Sequence, residues 1–176
     1  MKIRTGFVSN SSSSSFILAL PTATPAQEDI KKAFGIFISG ILQDAKSQTP
    51  VHLTPESREG WINDLLAEKS PPWWLVDRDP VCKEINDLRR SFEQKAIIEC
   101  GDWGKVYVKY REELNRFYRE LDQRESELLR PLAEEWFDSH AGQWAYRFRY
   151  EDKGEEAFLE NNDLWDRAGA LVFNEH

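Results

Sequence analysis

Residues 144–150, Trp-Ala-Tyr-Arg-Phe-Arg-Tyr, alternate with a period of two. In an extended chain Trp144, Tyr146, Phe148 and Tyr150 share one face, while Ala145, Arg147 and Arg149 share the other. That pattern reads as a strand of a sheet, with its aromatic side turned to a core. Three other segments read as partners. Residues 16–20, Phe-Ile-Leu-Ala-Leu, are a short buried strand closed by Pro21. Residues 96–100 form a candidate strand ended by Gly101, and residues 170–174 a final one. With 144–151 they predict a small mixed sheet of about four short strands. Residues 155–168 read as a helix with Gly169 past its end. Strand, helix and strand in that order predict two parallel neighbours at 144–151 and 170–174.

The remaining patterns are helical. Residues 27–46 place Ile30, Phe34 and Ile41 on one face, with Glu28 and Asp29 in the first turn, where the helix dipole favours them. Thr54-Pro55-Glu56 opens a second helix, which buries Trp61, Ile62, Leu65 and Leu66 and stops at Ser70-Pro71-Pro72. Trp73-Trp74-Leu75-Val76 reads as an extended aromatic segment. Asp79-Pro80 opens a helix through Val81, Ile85, Leu88 and Phe92. The longest helix is expected near 105–129, with Tyr107, Tyr110, Leu114, Phe117, Leu121 and Leu128 inward and Glu and Arg dense outside. Pro131 is expected to kink it or to open the next helix. The expected class is α+β (or α/β), a single domain over 1–176, with its weakest boundary near 70–80.

Composition narrows the role. The chain has 176 residues, 40% hydrophobic and 31% charged, which suits one globular domain. Seven Trp, ten Phe and five Tyr exceed what a core this size needs, so some are expected to face a protein partner or a second copy. The net charge of −8 argues against nucleic acid as a partner, because phosphate binding needs clustered Lys and Arg. The acid is uneven: residues 151–176 hold eight Asp and Glu against two Lys and Arg. Cys82 and Cys100 form no C-x-x-C pair, which fits a reducing cytoplasm. The longest apolar stretch, residues 33–42, is about half of what a bilayer requires. Residues 16–20 are too short for a secretory core. No membrane role and no cofactor is expected.

The candidate chemistry lies in three places. Ser9-Asn10-Ser11-Ser12-Ser13-Ser14-Ser15 forms a hydroxyl tract clamped between Phe7-Val8 and Phe16-Ile17-Leu18. Its hydroxyls and amides are candidates for anion binding or modification, or for a loop that satisfies its own backbone. The glycines of a phosphate loop are missing. Glu151, Asp152, Glu175 and His176 are acid or metal candidates at the two strand ends. They face the serine tract only if the first strand runs antiparallel to the last. Trp73 and Trp74 are candidates for partner contact. His52 and His140 lack ligand spacing, and no catalytic motif occurs.

Residues 2–16, Lys-Ile-Arg-Thr-Gly-Phe-Val-Ser-Asn-Ser-Ser-Ser-Ser-Ser-Phe, resemble an N-terminal signature of uncharacterised bacterial and bacteriophage proteins. The resemblance implies a prokaryotic or phage source and action in the cytoplasm, the host's if phage-encoded. It carries no catalytic residue. The expected function is protein–protein interaction, as regulator or inhibitor of a partner, rather than catalysis. The alternative is a ligand- or phosphate-binding domain, or an unrecognised enzyme, built on the serine loop and the acidic strand ends.

Overall fold

The computed structural model describes residues 14–149 and 163–175. One sheet is built from β1 (Ser14–Leu20), β2 (Val51–His52), β3 (Lys69–Ser70), β4 (Trp144–Arg149) and β5 (Leu171–Glu175). Its order is β2-β4-β1-β5-β3, and every pairing is antiparallel. The helices are α1 (Gln27–Phe34), α2 (Ser39–Ser47), α3 (Arg58–Glu68), α4 (Trp73–Val76), α5 (Pro80–Cys100), α6 (Trp103–Lys109), α7 (Arg111–Ser139) and α8 (Leu164–Arg167). The class is α+β with one long helix, as expected.

β1 lies at the centre and feeds both faces, since alternate side chains point to opposite sides. Phe16, Leu18 and Leu20 join Tyr146 and Phe148 on one face, which α1, α2 and α8 cover with Ile30, Phe34, Ile41, Ala45, Leu164 and Trp165. Trp165 stacks on Phe16 with ring centroids 4.5 Å apart. On the other face Ile17, Ala145, Leu171 and Phe173 meet Trp61, Ile62 and Leu65 of α3 and Leu129, Ala133, Trp136 and Phe137 of α7. Ala145 is only 5% exposed, whereas Arg147 on the same side of β4 is exposed.

The structure corrects several expectations. Residues 96–100 are not a strand but the last turns of α5, closed by Gly101 in the left-handed region at φ 81°. Only Ala96 of that apolar run is buried, whereas Ile97 and Ile98 are 41% and 84% exposed. Strands β4 and β5 do point the same way, but β1 lies between them, so they are not neighbours. The expected helix over 27–46 is two helices. Gly35, at φ 75°, closes α1 with its N–H donated to the Lys31 carbonyl. The helix expected at 105–129 divides at Tyr110 and then runs through Pro131 to Ser139. Leu129, Ala133, Trp136 and Phe137 keep a helical spacing across the proline and are buried against the sheet. That burial offsets the lost backbone hydrogen bond. Trp73–Val76 is a helical turn rather than an extended segment.

Helix α7 joins two regions. Its 29 residues span about 43 Å at the α-helical rise of 1.5 Å per residue. The C-terminal half packs on the sheet. The N-terminal half packs on α5, and the two helices with α6 form an arm with its own small cluster of Ala96, Val106 and Leu114. The chain leaves the sheet at Ser70 and enters the arm at Pro80.

Candidate functional site

The sheet end where β1 begins is the first place to test the sequence candidates. β1 is antiparallel to β5, so Ser14 stands opposite Asn174 and Ser15 opposite Phe173. On its other side Ser15 stands opposite Arg149. Glu175 is opposite Lys69 of β3. The serine tract therefore enters the sheet at the end where β4 and β5 leave it, next to Glu175. Ser15 itself is 2% exposed and belongs to the sheet interior, so it is no accessible hydroxyl. Ser9 to Ser13, Glu151, Asp152 and His176 lie outside the described residues. Trp165, stacked on Phe16, has a buried indole N–H with no hydrogen-bond acceptor among the described residues. Among the described residues no group of three or more His, Cys, Asp or Glu is placed to hold a metal.

The two described histidines act as pins. His52 stacks on Trp144 at 4.5 Å, and its Nε2 lies 3.3 Å from the Gly142 carbonyl. His140 Nδ1 lies 2.8 Å from the Trp136 carbonyl, while Trp136 Nε1 donates to the Gly169 carbonyl at 2.7 Å. These contacts tie the end of α7 to the turns before β4 and β5. Trp73 and Trp74 lie in α4, which follows the buried Pro71 and Pro72 and packs against α7.

The root of the arm holds a polar node that sequence reading missed. Asp79 caps α5, accepting from the N–H groups of Val81 at 3.1 Å and Cys82 at 2.9 Å. Arg124 of α7 grips the same carboxylate with Nη2 at 2.7 Å and Nε at 3.1 Å. That grip, with the Cys82 N–H, holds the Asp79 carboxyl well below the usual range. Burial pushes the Cys82 thiol up to about 11, with the Asp79 charge adding to it. Burial also lifts Glu125 to about 7, helped by Asp122. The sequence marks Asp79 as a helix start, and Arg124 interrupts the apolar spacing of the long helix, but no local pattern pairs the two.

The far end of the arm is different in kind. Glu99, in the last turn of α5, accepts hydrogen bonds from Lys109 Nζ and the Tyr110 hydroxyl, which ties α5 to the end of α6. Beside these linked residues in sequence stand Ile98, 84% exposed, and Val108, 81% exposed. Trp103 and Tyr107 are also exposed. The faces of the sheet, by contrast, are closed by helices. An open depression along α5 is lined by Pro80, Lys83, Glu84, Asp87 and Leu88. Among the described residues no helix is long and apolar enough to cross a membrane. No protein-family model matches the chain, and no curated protein or solved structure is similar to it.

Proposed function

We propose that this chain acts by protein–protein interaction, as a regulator or inhibitor of a partner, in the cytoplasm of a bacterium or of a phage-infected host. The end of the helical arm makes the contact. The observation that carries this reading is the exposure of Ile98 and Val108, 84% and 81%, beside Trp103 and Tyr107. Isolated exposed aliphatics need no explanation, but two nearly bare ones and two exposed aromatics within one short helical hairpin fit a recognition surface. The test is affinity purification from the source cell, using the wild-type chain and the double variant Ile98→Ser/Val108→Ser. A stoichiometric protein that copurifies with the wild type and is lost from a folded double variant supports the reading. Capture that is unchanged in the variant rejects the arm as the contact surface.

A second reading places a small anionic ligand at the sheet end beside Ser14 and Glu175. Two observations favour it: the antiparallel direction of β1 against β5, and the indole N–H of Trp165, stacked on Phe16, which has no acceptor among the described residues. Native mass spectrometry of the purified chain is its test. A retained small molecule supports it, and a mass equal to the bare polypeptide counts against it.

A further inference from the structure

We propose that Gln48 is an edge guard: its side-chain amide closes β4 against pairing with a strand of a second copy of this chain. β2 pairs with β4 only at Val51–Ala145 and His52–Trp144, and among the described residues no strand lies beyond it. β4 itself continues to Arg149. Its backbone groups alternate between the strands on its two sides. The Arg147 N–H points to the β2 side, so those of Tyr146 and Phe148 point to β1. If β2 were longer, the same register would put Thr49 opposite Arg147, with a carbonyl for that N–H. Instead Gln48 Oε1 accepts the Arg147 N–H at 2.9 Å. Gln48 ends α2, with its own N–H donated to the Ala45 carbonyl, so the helix end fixes the root of the side chain.

The rest of this edge is closed by local devices of the same kind. Leu53 donates to the Gln143 carbonyl and accepts from the Gly142 N–H. Leu53 and Val51 therefore face β4, and Pro50 and His52 face outward. Pro50 has no N–H to offer a further strand. The His52 carbonyl accepts from the Ser57 hydroxyl at 3.1 Å and from the Thr54 N–H at 3.1 Å. An edge that is short, carries proline or has its polar groups taken makes a poor template for another chain. At Arg147 a single side chain does this on a strand long enough to pair. In a solution of the pure protein, a second copy is the only other chain that could add there.

The test uses the full chain and two variants: Gln48→Ala, which removes the acceptor, and Gln48→Glu, which keeps one. Amide hydrogen exchange, read by NMR where the protein is dilute, reports the contact. In Gln48→Ala the Arg147 amide is expected to exchange at least about tenfold faster, while the Tyr146 and Phe148 amides keep their wild-type rates. Sedimentation equilibrium over a wide concentration range reports the consequence. Gln48→Ala is expected to self-associate at least about tenfold more tightly than wild type, and Gln48→Glu to match wild type. An unchanged Arg147 amide overturns the contact as the protecting one. Gln48→Ala that associates no more than wild type overturns the guard. So does equal association by the two variants, because loss of the acceptor is then not its cause.

Discussion

Glu125 and Asp79 both bear on the Cys82 thiol at the root of the arm, yet their carboxyls are shifted in opposite directions. Asp79 has a guanidinium and two N–H groups, so its charged form is favoured; Glu125 has burial and the nearby Asp122, so its neutral form is favoured. The consequence for stability follows from proton linkage. The unfolded chain releases the Glu125 proton near 4.5, while the folded chain keeps it to about 7. Between those values the folded state binds more protons, so stability falls as pH rises. Glu125→Gln is therefore expected to raise stability at pH 8 by on the order of 1 to 3 kcal/mol and to leave it unchanged at pH 4. Urea unfolding at the two pH values measures this, and an equal effect at both would refute the assignment. None of this was visible in the sequence, where Glu125 is one of many acids on a charged helix.

At the scale of elements, the arm depends on few buried side chains. Leu114 is fully buried, and its described cluster partners are Ala96 and Val106. Leu114→Ala is expected to remove about 2 to 5 kcal/mol of local stability. Hydrogen exchange should show faster exchange in α5 and α6 while β1 and β4 amides keep their protection. Uniform loss across the sheet would show that the arm is not an independent packing unit. The arm also explains the main misreading of an element. Ala96-Ile97-Ile98 is a short apolar run, and such runs carry no period that separates strand from helix. In the structure the run continues a helix begun at Asp79-Pro80, and two of its three side chains face outward. Pro131 does not open a new helix, for the converse reason. A proline weakens a helix locally, but the apolar residues on both sides of it are anchored to the sheet.

The whole molecule turns on β1, which contributes to both faces of the sheet. Ile17 is fully buried among α3, α7 and β5, while Phe16 and Leu18 beside it serve the opposite layer. Ile17→Ala is expected to cost about 2 to 5 kcal/mol in a single cooperative transition, seen alike by tryptophan fluorescence and circular dichroism. Two separated transitions would mean that the layers unfold independently. The strands at 16–20, 144–149 and 171–174 were legible because alternation and apolar runs bounded by Pro or Gly are local signals. So were the helix starts at Thr54-Pro55 and Asp79-Pro80, where cap and proline stand side by side. By itself the sequence determined the three longer strands, the helix starts marked by a cap and a proline, and how acidic the chain is. Only the tertiary structure decided that β1 sits between β4 and β5, that Ser15 is buried, that Arg124 grips Asp79, and that Ile98 and Val108 stay bare. Each of those depends on contacts between residues distant in the chain, and neither local propensity nor spacing encodes which distant surfaces meet.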